Sequence, residues 1–212
     1  IKIDHLEYPG PWQQRPLGVA FVRRLARDMR ERGQIEPITV RPRARANGRA
    51  LYQVVNGDGR ARAGKLNGWD TLRAVVKQMD DWEAYVCYLL DNMAERKMPW
   101  EEVALGILAV EQALARKTGH PCNSRHLGRV LHRSKDWIND HKRAFRVVQA
   151  HGIPRGFVPH YKLLRPLGCG ITFAIEETIL QGIINEKWTL ERVYEEVHER
   201  CKPRSSARGG CQ

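Results

Sequence analysis

Cysteine is sparse and unpatterned in this 212-residue chain. Its five thiols, Cys87, Cys122, Cys169, Cys201 and Cys211, are odd in number, lie far apart and form no Cys-x-x-Cys pair. A disulfide scaffold and a dithiol redox motif are therefore excluded, and a reducing, cytoplasmic compartment is expected. Long apolar runs are also missing. Uncharged apolar runs such as 84–90 and 171–175 fall far short of the roughly 20 residues that cross a bilayer. The first residue is Ile1 rather than Met, which leaves room for an upstream segment, and no apolar signal core follows it. Acidic side chains are in deficit: 24 Asp and Glu stand against 36 Lys and Arg, a formal net charge of +12.

What is present is the composition of a folded chain, 42% hydrophobic and 28% charged, long enough for one larger domain or two small ones. Its charge is unevenly placed. Residues 116–165 hold 12 basic side chains against only Asp136 and Asp140, net +10. The flanking stretches 99–115 and 166–201 are net −3 and −4, and residues 1–98 are net +6. A concentration that breaks off on both sides reads as a phosphate-facing surface rather than general solvation. Nucleic acid is the commonest such polyanion.

The apolar pattern divides the chain at about residue 98. Val22, Leu25 and Met29 share one helical face, with Arg23, Arg24, Arg27 and Arg30 over the remaining surface and Gly33 as the stop. Two β-branched runs, 37–40 and 52–55, read as strands joined by a polar loop at 45–48. The turn Asn56-Gly57-Asp58-Gly59 then opens a short helix over 60–66, followed by a strand at 72–76 and a helix over about 82–90. From Pro99 the periodicity is helical throughout, beginning with the stripe Val103, Ile107, Val110 and Leu114. Further helices are expected over 124–131, from Ser134 as N-cap to about 148, over 159–164, over 173–185, and over 190–200 with Thr189 as N-cap. The prediction is an α+β unit with a small mixed sheet over 1–98, an all-α domain over 99–201, and a basic, disordered tail over 202–212.

Residues 124–148 have the spacing of a helix-turn-helix. Leu127, Val130 and Leu131 face inward from the first helix, Gly128 permits close approach, and Trp137, Ile138 and either Ala144 or Phe145 pack the second. The second helix would enter the major groove with Lys135, Asp136, Asn139 and Asp140 near base edges. An asparagine can pair bidentately with adenine, whereas Arg125, Arg133, Ser134, Lys142 and Arg143 suit phosphates. The alternative is an ordinary helical hairpin with a basic surface; the turn position often filled by Gly is His132. His120, Cys122, His126 and His132 lie close in sequence, but their spacing matches no standard zinc pattern.

Three separated segments, Gly10-Pro11-Trp12-Gln13-Gln14-Arg15, Gly57-Asp58-Gly59-Arg60-Ala61-Arg62-Ala63 and Asp91-Asn92-Met93-Ala94-Glu95-Arg96-Lys97-Met98-Pro99-Trp100-Glu101-Glu102, resemble the three boxes of the ParB-like DNA-partition proteins. Their order, and the helix-turn-helix that follows, extend the resemblance over about residues 5–200. It implies a ParB/sulfiredoxin-like N-terminal domain that binds CTP with Mg²⁺. It also implies a homodimer that loads at a centromere-like site on double-stranded DNA, closes into a sliding clamp, and is reset by slow CTP hydrolysis. By residue, the resemblance implies that Gly57 and Asp58 line the phosphate turn, that Arg60 and Arg62 neutralise phosphates, and that Gln13 and Arg15 close over the nucleotide. Asp91 and Asn92 would lie beside the metal, and Arg96 matches the arginine of the third box. A ParA-like ATPase partner and a nucleoid-associated, membrane-free location are implied as well.

The residues themselves are compatible with these roles. A Gly-flanked turn at a helix start presents backbone amides to an anion, and a carboxylate beside an amide oxygen suits a hydrated hard cation. The plain alternative is a hairpin exit with two exposed arginines. The sequence departs from the family at Gly59, which stands in place of the first arginine of its pair, and at Asp58 and Asp91, each a methylene shorter than the family's Glu. The third box is one residue shorter before Glu101. The C-terminal dimerisation domain of many members does not follow the helices, so either it was removed or dimerisation relies on the N-terminal face. Two further readings stay open: a helix-turn-helix repressor of the same ancestry without nucleotide binding, and a small-molecule kinase or nuclease with Glu36 or Asp58 as base. Sulfiredoxin chemistry is excluded, because the 57–59 turn has no cysteine.

Overall fold

In a computed structural model the described residues are 1–8, 17–46, 49–95, 98–167 and 171–201. Four strands form one mixed sheet in the order β1 (Leu6–Glu7), β3 (Arg49–Asn56), β2 (Ile38–Ala46), β4 (Ala74–Val76). β2 and β3 are the antiparallel hairpin, and each outer strand runs parallel to its inner neighbour. Successive residues of a strand face opposite sides, and here both sides are covered. Val40 and Val54 pack with Ala26 and Met29 of α1 (Val19–Arg32) and Ala61 and Ala63 of α2 (Asp58–Leu66). Val55, the next residue, instead meets Ala84 of α3 (Asp81–Glu95). On this second side the buried Arg41 donates through Nε and Nη2 to Gln53 Oε1, at 3.0 and 2.8 Å, and through Nη2 to Asp81 Oδ1 at 2.5 Å. That network ties the hairpin to the start of α3.

The helical part comprises α4 (Trp100–Thr118), α5 (Ser124–Val130), α6 (Lys135–Ala150), a 3-10 turn (Tyr161–Leu164), α7 (Phe173–Asn185) and α8 (Leu190–Arg200). The α+β organisation expected from sequence is thus present. α3 also belongs to the helical core, where Leu89 packs with Val103, Ile107 and Val110 of α4 and with Leu127, Leu131 and Ile138 of the α5–α6 pair. The crossing is close because Gly106 has no side chain: a Cβ there would sit 2.6 Å from Leu89 Cδ1. A second cluster joins Trp100 and Ala104 to Phe145, Leu164, Ile179 and Val193. No described helix is long and apolar enough to cross a membrane.

Several boundaries differ from the sequence reading. The two-residue β1 has no periodicity to reveal it. The strand expected at 72–76 is the shorter β4, and Leu72, ahead of it, fills the sheet core at 3% exposure. α2 starts two residues early because Gly57, at φ 94°, is its N-cap. The helix expected at 159–164 is the shorter 3-10 turn, and the 202–212 tail lies outside the described residues.

Candidate functional sites: a polar cleft and a helix-turn-helix surface

A cleft of about 560 Å³ opens where α1, the segment before β2, the start of α2 and the end of α3 meet. Phe21, Leu25, Asp28 and Met29 form one wall, and Gly57, Gly59 and Arg60 the α2 rim, with Asp91 and Asn92 opposite. Gly57 has no side chain to cap the first-turn amides of α2, so their N–H groups remain available to an acceptor. Arg60 Nη1 donates to Glu36 Oε2 at 3.0 Å and to the Pro37 carbonyl at 2.9 Å. Asn56 Nδ2 donates to Asp91 Oδ2 and, at 3.5 Å, to Cys87 Sγ. Burial, helped by the Asp91 charge, pushes the Cys87 thiol up from its ordinary range. Asn92 Nδ2 donates back to the Tyr88 carbonyl at 2.7 Å.

Gly57, Arg60, Asp91 and Asn92 are therefore brought to one cavity. Asp58 and Arg62 turn elsewhere: Arg62 Nε donates to Asp58 Oδ2 at 2.9 Å, and its guanidinium lies over the Tyr8 ring. Asp58 Oδ1 is buried with no partner among the described residues. Gln13, Arg15 and Arg96 lie outside the described residues. Gly59 has a steric reason to be glycine, since a Cβ would stand 3.1 Å from Phe21 Cε1 and 3.2 Å from Leu25 Cδ2. The sequence reading missed Asp28, Gln34 and Thr39 as cleft residues, and met Glu36 only as a base. Nothing local marks them, because they lie 19 to 63 residues away from Asp58 and Asp91. Asp28, Glu36 and Asp91 put three carboxylates against the single Arg60 guanidinium among the described lining residues.

The second site is built by α5, its turn and α6. At Gly128 a Cβ would be 2.6 Å from the Arg133 carbonyl oxygen, and the Arg133 N–H donates to the Gly128 carbonyl at 2.8 Å. His132 takes the left-handed turn conformation at φ 51°. Ser134 Oγ accepts from the Trp137 N–H at 3.0 Å, capping α6 as its sequence predicts. Arg125, Arg133, Ser134, Lys135 and Asp136 are exposed and Asn139 half-buried on this surface.

Three neighbours have internal partners. Lys142 is paired with Glu111 at 2.6 Å, and Arg143 Nη1 donates to the Arg165 carbonyl at 3.3 Å. Asp140, expected near base edges, is buried and accepts from Arg165 Nε at 2.7 Å; a carboxylate so held faces the protein interior. Arg129 and Arg146 are exposed on α5 and α6 and were not singled out from sequence. Their signal was present in the basic run.

Behind α6, His141 stacks between Trp137 and Tyr161 at centroid distances of 4.0 and 3.8 Å, and its Nδ1 lies 2.9 Å from the Trp137 carbonyl. Burial lowers its pKa from 6.5 to about 4; the Trp137 carbonyl and Asp140 oppose the shift, and His160 and Arg133 add to it. Because the folded-state value is the lower one, the unfolded chain takes up the proton first as pH falls. Stability is then lost between about pH 6.5 and 4, by up to about 3 kcal/mol for this group. Urea denaturation at pH 7 and pH 4.5 is expected to show a smaller loss in His141→Phe than in the natural chain.

Residues 1–93 match the ParB N-terminal domain. The chain is 32% identical over 94 residues to the nucleoid occlusion protein of Halalkalibacterium halodurans, covering 44% of this chain and 28% of the relative. It is 30% identical over 118 residues to the chromosome-partitioning protein Spo0J of Thermus thermophilus, covering 52% and 42%. The chain thus spans less than half the length of these two curated relatives. Among solved structures, the C-terminally truncated chromosome-partitioning protein ParB of Caulobacter crescentus, complexed to the centromeric parS site, aligns with 93% of this chain and 97% of its own. The TM-score is 0.62 at 18% identity, a similarity of fold that runs through the sheet unit and the helices.

Proposed function

From a chain whose residues 1–93 match the ParB N-terminal domain, we propose a sequence-specific DNA-binding protein of plasmid or chromosome partition whose N-terminal cleft takes CTP with Mg²⁺ and acts as the switch of a DNA clamp. The observation that carries the DNA half is the closed turn of Gly128 against Arg133, which holds a capped α6 with Lys135, Asp136 and Asn139 outward. That is the geometry in which a recognition helix presents its first turns to base edges. Arg125 and Arg133 hold phosphates beside it. A homodimer reading two half-sites, and a ParA-like ATPase as partner, complete the reading.

In the cleft, the uncapped amides of α2 and the Arg60 guanidinium receive phosphate oxygens, displacing Glu36 from Arg60. The three carboxylates oppose a bare polyphosphate, so the anion enters with its cation. Asp91 and the Asn92 amide oxygen fit a Mg²⁺ that takes one or two protein oxygens and completes its shell with phosphate and water. The ion supplies charge neutralisation at the phosphates. Gln13, Arg15 and Arg96 belong to the proposed nucleotide set through the resemblance of their boxes.

The test is calorimetric titration with each of the four ribonucleoside triphosphates, with and without Mg²⁺, alongside selection of binding sites from random duplexes. CTP-selective, Mg²⁺-dependent binding that falls at least tenfold in Arg60→Ala is the expected result, with one duplex sequence enriched. The carboxylate excess of the cleft favours one second reading, a DNA-binding regulator without a nucleotide. Enrichment of a duplex site with no triphosphate bound establishes that reading and overturns the switch.

A further inference from the structure

The apolar side of α1 is used twice: Ala26 and Met29 are buried in the sheet core, and Phe21, Leu25 and Met29 line the cleft. The opposite side carries Arg23, Arg24, Arg27 and Arg30, all exposed. None of the four has a carboxylate partner among the described residues. Arg30 donates to the neutral Asn67 Oδ1 at 3.0 Å, and Arg24 lies over the Phe21 ring. Asp28, adjacent to Arg27, is paired with Arg32 at 3.2 Å. Glu31 is the one carboxylate that α1 itself places among them. Asn67 also donates to the Ala26 carbonyl at 2.7 Å, which brings the end of α2 alongside with Lys65 exposed.

Arg23 and Arg27 are four residues apart, and Arg24–Arg27 and Arg27–Arg30 are three apart. Each spacing puts like charges side by side on a helix and destabilises it. A face that repels itself three times, with Glu31 as the single carboxylate α1 places among four arginines, is relieved by an external polyanion. We propose that the outward face of α1 is a second nucleic-acid surface, holding the phosphate backbone of duplex DNA through Arg23, Arg24, Arg27 and Arg30 without reading sequence. The stripe from Arg23 to Arg30 is about 10 Å long, the axial span of about three phosphates of one strand. A membrane surface is disfavoured, because a helix that lies on lipid needs a free apolar face, and that of α1 is occupied by the core and the cleft.

The proposal rests on the reading of this chain as a DNA-binding protein and adds a site on the sheet unit, where α1 packs, to that on α6. It is tested with the whole chain and a triple variant, Arg23→Gln, Arg24→Gln and Arg27→Gln. Glutamine keeps helix propensity, and an unchanged melting temperature checks the fold. The affinity for a random-sequence duplex is measured against salt concentration, with the site selected from random duplexes as the specific probe. The expected result is a log–log salt slope shallower by about 2.7 for three lost phosphate contacts, with the ratio of specific to random affinity preserved. An unchanged slope overturns the proposal, as does loss of binding to phosphatidylserine vesicles with DNA affinity intact. If the natural chain binds no duplex at low salt, the DNA reading itself fails, an outcome distinct from a natural chain that binds and a variant that binds equally well.

Discussion

Replacing Gly128 by valine is expected to abolish the proposed site-specific DNA binding and to destabilise the helical part by several kcal/mol, the largest single-residue effect expected outside the sheet unit. Even a methyl at this position meets the Arg133 carbonyl oxygen at 2.6 Å and the Lys135 nitrogen at 3.5 Å. Both obstacles are backbone, so no rotamer change can clear them. Overpacking of a close site costs about 1–3 kcal/mol, and valine adds two further methyl groups to the clash. The turn can respond only by breaking the Arg133 to Gly128 hydrogen bond and moving the start of α6. Leu127, Leu131 and Ile138, each fully buried, then lose their common packing. Urea denaturation measures the first consequence and fluorescence anisotropy with the selected duplex the second. Gly128→Ala is expected to fall between valine and the natural chain in both.

Gly57→Val is the counterpart in the cleft. The residue sits at φ 94°, and its Cβ would lie 2.8 Å from Ile38 Cγ2, a side chain with no solvent exposure. The left-handed backbone costs a non-glycine residue about 1–2 kcal/mol, and a β-branched residue is a true outlier there. The collision adds about 1–3 kcal/mol. Since Gly57 sets the angle at which α2 leaves β3, the displaced group is the rim that carries Gly59 and Arg60. The expected outcome is a lower melting temperature together with loss of the proposed triphosphate binding, while the proposed selection of a duplex site by α6 persists below the melting temperature. Loss of nucleotide binding without any loss of stability would instead contradict this account, because the two effects share one steric cause.

The features legible in the sequence were those written over short distances. Ser134 and Thr189 cap their helices as expected because an N-cap and its amide are three residues apart. The α5–α6 pair was legible for the same reason. Side-chain direction was less so. Helical spacing alone places Asp140 one turn beyond Asp136, yet Arg165, 25 residues downstream, holds it inward. Glu111 does the same to Lys142 from α4. In the 57–63 box the two arginines look equivalent, but Arg60 reaches the cleft while Arg62 turns back to Asp58 and Tyr8. The cleft was legible only at its α2 rim and at Asp91-Asn92. Its other walls depend on how α1 lies across the sheet, which no local pattern encodes.

The dual membership of α3 has a thermodynamic consequence. Ala84 is sealed against Val55 of the sheet, and Leu89, little more than one turn later, is sealed against Gly106 and the helices beyond. Unfolding the sheet unit strips one side of α3, and unfolding the helical domain strips the other. A lone helix of 15 residues is marginal in water, so losing either set of contacts weakens the support for both. The two parts therefore melt as partners in one cooperative transition rather than as beads on a string, and a substitution deep in either lowers the stability of the whole.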